Sequence, residues 1–307
     1  MKNTFQFKTL AEFLAYFKDE ETCRKHFAKI RFANGEHCAH CGHDKIYTFN
    51  DGKRYRCAKC KRDFTIVTNT VFGETKLPLQ KWFIAIYLLS TTSKGISSVQ
   101  LAKHVGVTQK TGWFMDHRIR KAMKERGGKL FGTVEVDETY VGGELLNMHK
   151  HKRAQVVAGG NGGAGKAIVM GLLERKGRVI AGVVPDARKE TLQAKIWQYV
   201  EPGSAVHTDA LRSYNGLHRQ YAHETVDHAV CYAKGELHTN SIESFWALFK
   251  RGYHGIYHQM SRKHLQRYLE EYSFRFNRRT EAMQDVWSDV VANMSTGTRL
   301  PYRELIA

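Results

Sequence analysis

His238-Thr-Asn-Ser-Ile-Glu-Ser-Phe-Trp-Ala-Leu-Phe-Lys250 reads as a helix that carries chemistry along the edge of an apolar face. Thr239 or Asn240 can cap its start, and Gly252 follows its end. Ile242, Phe245 and Phe249, flanked by Trp246 and Leu248, recur at helical spacing, so the stripe they form has to be buried against another element. Glu243 and Lys250 stand two turns apart at the border of that stripe. A carboxylate held at the rim of a core with a cation beside it suits phosphate chemistry, whereas a lone Glu/Lys pair on a helix is ordinarily solvated and weak. The stretch needs partners elsewhere in the chain to mean more than that.

The segments before it supply them. Thr133 to Tyr140 alternates as a strand, with Val134 and Val136 on one face and Glu135 and Asp137 on the other; by the same alternation Glu138 points away from Asp137. Ala167 to Leu173 and Val179 to Val184 read as strands joined by a hairpin turn at Lys176-Gly177. A helix from about Arg188 to Val200 stops at Pro202-Gly203, Ala205 to Asp209 is a short strand ending on a carboxylate, and Tyr221 to Val226 reads as a fifth strand. Three hairpin-like strands, a helix, two more strands and further helices make an α/β domain with a mixed sheet. Within it, Gly160-Asn-Gly-Gly-Ala-Gly-Lys166 matches the first seven positions of a P-loop. Ala167 stands where the magnesium-binding hydroxyl belongs, and an apolar strand follows in place of a helix, so no nucleotide is expected there; a flexible basic loop with His149 to Arg153 is the better reading.

The chain's 307 residues give room for two or three domains, and its hydrophobic content is that of a globular protein. A net charge of +18, from 48 Lys and Arg against 30 Asp and Glu, favours a polyanionic partner such as nucleic acid. The sequence has no apolar run of about 18 residues and no basic-then-apolar leader, so neither a membrane span nor secretion is expected. Four of the six cysteines fall in two pairs, Cys38-Ala-His-Cys41 and Cys57-Ala-Lys-Cys60, fifteen residues apart. Four thiolates at this spacing close a tetrahedral zinc site, and the strand-like stretches Lys45 to Phe49, Lys53 to Arg56 and Asp63 to Val67 make the unit a zinc ribbon. Such thiols point to a reducing compartment, so a cytoplasmic location is expected; Cys23 and Cys231 read as ordinary thiols.

Residues 8 to 32 hold two short helices broken around Asp19 to Thr22. After the ribbon comes an apolar helix from Leu79 to Ser90. Gly95 to Trp113 then reads as helix, turn at Gly106, and a second helix opened by Thr108: a helix-turn-helix. Gln109, Lys110 and Thr111 lie at the end of the second helix that meets base edges, and Arg118, Arg120, Lys121 and Lys124 read as phosphate contacts. Gly112 weakens that helix by about 1 kcal/mol. The C-terminal part interleaves arginines with aromatics, including a helix from Ser261 to about Asn277 and a shorter one near Met283 to Met294.

Asp137, Asp209 and Glu243 thus form an ordered acidic set at two strand ends and a helix. Together with the four cysteines, Val136-Asp-Glu-Thr-Tyr-Val-Gly-Gly143, His207-Thr-Asp209 followed by Ser213-Tyr-Asn-Gly216, His238 to Lys250 and the Arg262-Lys-His-Leu-Gln-Arg-Tyr-Leu-Glu-Glu271 helix, they make the chain resemble the DDE transposases of bacterial insertion sequences, in the group with an N-terminal zinc ribbon. The resemblance implies a multidomain α+β and α/β chain: a helical segment at 1–34, the ribbon at 35–70, a helix-turn-helix domain at 71–127, an RNase H-like catalytic domain at 128–280 and a helical tail at 281–307. It implies binding to the ends of a mobile element and to target DNA, and a homodimer or higher homo-oligomer, since two ends must meet.

Three carboxylates converging on one spot repel unless hard cations sit among them, which suits two magnesium ions, with manganese as a substitute. Asp137, Asp209 and Glu243 are therefore the expected ligands and Lys250 a phosphate contact. In some members of that group the third position is ascribed to an asparagine, and Asn240 stands one turn before Glu243, so both are candidates. The alternatives are a non-catalytic DNA-binding regulator derived from such an enzyme, and a zinc-dependent nuclease using His207, Asp209 and His238.

Overall fold

Two units make up the chain: residues 1–123 with 280–307, and residues 124–279. The computed structural model describes residues 7–125, 127–143, 149–150, 153–154, 165–226, 238–298 and 300–306. Most of the glycine loop at 160–166, and Cys231, lie outside the described residues. No helix among those described is long and apolar enough to cross a membrane.

In the first unit, α1 (Leu10–Tyr16) opens with a reciprocal cap between Thr9 and Glu12, and α2 (Glu20–Arg31) opens where the Asp19 carboxylate accepts from the Thr22 N–H at 2.8 Å. These caps set the break between the two helices. Strands β1 (Ile46–Thr48), β2 (Arg54–Cys57) and β3 (Asp63–Thr65) form an antiparallel three-stranded sheet. Helices α3 (Leu79–Thr91), α4 (Ser98–Val105) and α5 (Gln109–Ala122) follow, with Gly106 in the left-handed region (φ 67°) turning the chain between the last two and the Thr108 hydroxyl accepting from Thr111 N–H. Gly112 costs helix propensity but lets the two helices close up: a Cβ there would fall 2.8 Å from the Ser98 carbonyl oxygen and 3.1 Å from Ala102 Cβ. The C-terminal segment packs into this unit through the helix Met283–Thr296, whose fully buried Trp287 donates its indole N–H to the Phe83 carbonyl at 3.2 Å.

In the second unit, β4 (Thr133–Val141), β5 (Ala167–Glu174), β6 (Val179–Val184), β7 (Ala205–Asp209) and β8 (Ala222–Val226) form one sheet in the order β6-β5-β4-β7-β8. The hairpin strands β4, β5 and β6 are antiparallel; β4, β7 and β8 are parallel. Helix α6 (Lys189–Tyr199) covers one face through Leu192 and Ile196 against Val134, Val136 and Val206. The other face carries α7 (Asn240–Gly252) and α8 (Arg262–Asn277), where Ile242, Phe245, Trp246 and Phe249 pack with Val141, Val169, Leu173, Leu269 and Tyr272. Each such side chain contributes about 1.5–3 kcal/mol by leaving water, which is why the stripe read in the sequence becomes the seam holding α7 down.

Two details aim this helix. Gly171 lies opposite Asp137 in the sheet, and a Cβ there would sit 2.6 Å from Trp246 Cζ2 and 2.8 Å from Ile242 Cδ1, so its bare backbone lets α7 approach next to Asp137. Pairing between β4 and β7 stops at Glu135 opposite His207, so the strands part just before Asp137 and Asp209. A crevice beyond the carboxyl ends of parallel strands is where open α/β sheets take ligands.

Candidate functional site

Asp137, Glu138 and Asp209 offer carboxylate oxygens that all lie within 4.8 Å of one another. Burial, with the charges of Asp209 and Glu243 adding to it, pushes Asp137 up to about 6; its own backbone hydrogen bond at Glu138 and the Trp246 indole only partly offset this. Burial likewise pushes Glu138 up to about 7, although the Tyr214 hydroxyl donates to its carboxylate. Carboxyls crowded enough to resist ionisation are the donor set that a hard divalent cation relieves, and an all-oxygen set fits magnesium or manganese.

Glu138 belongs to this cluster even though strand alternation sends it to the α6 face. Its long side chain reaches the sheet end where β4 and β7 separate, and Tyr214, in a short turn after β7, holds it there. Glu243 and Asn240 are exposed at the start of α7. Glu243 approaches closely enough for its charge to raise Asp137, and it accepts from the Thr239 hydroxyl at 3.3 Å, but its oxygens are not part of the 4.8 Å set. Lys250 is exposed in the last turn of the same helix.

What holds the start of α7 is not a local cap. Neither Thr239 nor Asn240 caps it; Thr239 occupies the cap position without a capping hydrogen bond from its side chain. Two of the donors left over at this helix end are taken by Glu135, reaching across from β4. Its carboxylate accepts from Ser241 N–H (2.9 Å), Ile242 N–H (3.0 Å), the Ser241 hydroxyl (3.0 Å) and Arg175 Nε (3.0 Å). Glu135 is wholly buried. Arg175 Nη2 also donates to the His238 carbonyl at 3.0 Å and lies 3.3 Å from His238 Nδ1 and 3.4 Å from His207 Nδ1. Burial and the Arg175 charge lower the pKa of His207. Both rings thus face a guanidinium, and neither joins Asp209 in a metal-ligand group among the described residues. The sequence had placed Glu135 on the face of Asp137 without giving it a role. The spacing of two along one strand was the available signal; Tyr214 lies in the Ser213-Tyr-Asn-Gly216 motif that carries the family resemblance but had no role of its own, and nothing in the sequence marked Arg175.

In the first unit the four cysteine sulfurs also lie within 4.8 Å of one another. Cys38 to Cys60 is 3.7 Å and Cys41 to Cys57 is 3.6 Å, close to the edge of about 3.8 Å that a zinc–sulfur tetrahedron with bonds of about 2.3 Å requires. Backbone N–H groups of His40, Lys59 and Cys60 point at Cys38 and Cys57 Sγ, and Gly42 and Lys61 take the positive φ that lets each knuckle turn. The residues fit a closed structural zinc site.

Gln109 and Lys110 are exposed at the start of α5, Gln109 donating to the Ser98 hydroxyl (2.9 Å) and the Lys110 ammonium lying 4.8 Å from the Tyr302 ring centre. Thr111 is half-buried against Thr108, and Lys121 donates to the Thr298 hydroxyl at 3.1 Å. Arg118 corrects the sequence reading. It is only 2% exposed, its Nε donates to the Leu300 carbonyl, and its guanidinium lies 4.3 Å from the Phe114 ring centre, so it packs this unit instead of meeting phosphate. Arg120 is buried as well.

Comparison with known proteins bears on both sites. The family described as ISXO2-like transposase domain matches residues 129–277, and the transposase zinc-ribbon domain matches residues 18–63. A protein in the transposable element ISH50 of Halobacterium salinarum is 27% identical over 247 residues, which cover 76% of this chain and 83% of the relative. A transposase-like protein of Haemophilus influenzae is 34% identical over 106 residues, 33% of this chain and 83% of the relative.

Proposed function

Because this chain belongs to the ISXO2-like transposase family, we propose that it binds the ends of its own mobile DNA element and there cuts and joins DNA strands in a metal-dependent reaction. The observation that carries this reading is the partly buried cluster of Asp137, Glu138 and Asp209, whose oxygens crowd within 4.8 Å at the parting of two parallel strands. A magnesium or manganese ion bound there supplies Lewis-acid activation of a water or 3′-hydroxyl and charge neutralisation at the phosphate.

Asp137 and Asp209 are the ligands from the sheet, and Tyr214 holds Glu138 turned toward them. Glu243 comes from α7 as the further carboxylate, with Asn240 beside it as an orienting amide. Lys250, on the same helix, contacts the phosphate backbone near the cut. The unit 124–279 is read as RNase H-like, and α4 with α5 as a helix-turn-helix in which Gln109, Lys110 and Thr111 meet base edges and Lys121 meets phosphate. The ribbon serves end recognition, and its zinc, held by four cysteines with no open position, takes no part in the chemistry. Two ends brought together require at least two copies of the chain.

The test replaces the candidates for the third metal-binding group one at a time and follows cleavage of labelled element-end DNA in magnesium. Glu243→Gln is expected to abolish cleavage while end binding persists, and Asn240→Ala to keep measurable activity. Normal cleavage by Glu243→Gln together with a dead Asn240→Ala would transfer the role to the amide.

A further inference from the structure

We propose that Glu135 and Arg175 are positioning residues for the acidic site: they lock the start of α7, and with it Glu243, to the strands that carry Asp137 and Asp209. The proposal rests on the catalytic reading above. Neither residue belongs to the carboxylate cluster, yet four elements converge on this one ion pair. Glu135 stands on β4, Arg175 directly follows β5 and is tied back by its N–H to the Thr133 carbonyl at 2.9 Å, His207 stands on β7 opposite Glu135, and Ser241 stands in the first turn of α7.

Three of these contacts share a spacing. Glu135 is two residues before Asp137, His207 two before Asp209, and Ser241 two before Glu243. On the strands that spacing returns to the same face, so the Glu135/His207 pair forms a layer directly beneath the two aspartates. On the helix it places the clamped N–H groups half a turn from Glu243. The clamp is therefore short, and an error at it is passed to the acids with little room for relaxation.

Electrostatics favour the same role. A carboxylate facing the N–H groups of a helix start is stabilised by the helix dipole, and here it substitutes for the missing local cap. A buried Glu–Arg pair is weak grounds for stability as such, because apolar residues of equal volume often do as well. Its value here lies in direction. The carboxylate accepts from two consecutive backbone N–H groups and one hydroxyl, while the guanidinium spans to the His238 carbonyl just before the helix. An apolar pair could fill this space but could not set the rotation of α7 about its axis, which decides where Glu243 points.

The experiment uses the full-length, zinc-loaded chain and two variants. Glu135→Gln keeps the shape and removes the charge, while Glu135→Gln with Arg175→Met leaves no charge buried alone and so guards against simple misfolding. Four quantities are read: melting, manganese affinity from the electron paramagnetic signal of the free ion, kcat and KM for end cleavage, and hydrogen exchange of the peptide spanning Asn240 to Lys250. Both variants are expected to melt cooperatively, to exchange faster at the start of α7, and to lose about tenfold to a hundredfold in manganese affinity and in kcat. KM for DNA should stay within about threefold, as for a loss confined to the reacting geometry. A folded variant with wild-type manganese affinity and kcat overturns the positioning role, leaving the ion pair merely structural. A wild-type chain that neither binds manganese nor cuts end DNA overturns the catalytic reading instead, and this proposal with it.

Discussion

Asp137→Asn should make the protein more stable, not less, when no divalent ion other than zinc is present. Asp137 titrates at about 6 against an ordinary 3.8, and Glu138 at about 7 against 4.5, chiefly because burial disfavours their charged forms. A carboxyl whose folded pKa is raised binds protons more tightly folded than unfolded, so stability is lost as pH rises from about 4 through 6 to 7 and stays lost above that. Lifting Asp137 from 3.8 to about 6 corresponds to about 3 kcal/mol, and Glu138 to a similar amount. The two titrate together, so the values do not add, and residual water contact reduces each. A working figure for removing the Asp137 charge at pH 8 is about 1–3 kcal/mol, or about 2–10 °C in melting temperature for a unit of this size. The assay is thermal unfolding of zinc-loaded wild type and variant at pH 5 and pH 8, with and without manganese. The variant should gain most at pH 8, gain about half as much at pH 5, and lose its advantage when manganese restores the wild type. A variant that melts at or below wild type at pH 8 without manganese would refute the burial argument.

Two further outcomes follow from the first unit. Cys57→Ser should release zinc, unfold residues 35–70 and weaken binding to element ends, measured by a zinc-release dye and by electrophoretic shift; intact specific binding by the metal-free protein would separate the ribbon from recognition. Replacing Gln109 and Lys110 together by Ala should lower the ratio of end DNA to random DNA affinity at fixed salt by about tenfold or more, and an unchanged ratio would move base readout to another element.

How much the sequence disclosed depended on the range of the interaction. The strand from Val179 to Val184, the strand from Ala205 to Asp209 and the turn at Gly106 were legible because alternation, a terminal carboxylate and a left-handed glycine are local signals. The stripe through Ile242, Phe245 and Phe249 told that α7 is buried, but not against which strand. Its cap position was legible at Thr239, but the group that satisfies its first N–H donors was not, for the same reason. Thr239 and Asn240 are the right residue types beside the helix start, whereas Glu135 reaches it through the fold from more than a hundred residues away. Alternation also set Glu138 aside, since it does not show that the neighbouring strand β7 departs after Glu135 and leaves room on that side for the long Glu138 side chain to turn toward Asp209. Arg118 looked like a phosphate contact because charge in a sequence says nothing about burial; Phe114 and the Leu300 carbonyl keep it inside. Gly112 looked like a weak point and instead permits close approach, as Gly171 does in the sheet.

The most direct measurement is cleavage of a supercoiled plasmid carrying the element's ends, in magnesium or manganese, by wild type, Asp137→Asn and Asp209→Asn, with end binding followed in parallel. The wild type should nick or cut at the ends only when the divalent ion is supplied, while both variants bind the ends as tightly and leave the plasmid intact. Cutting at the wild-type rate by either variant would contradict the account.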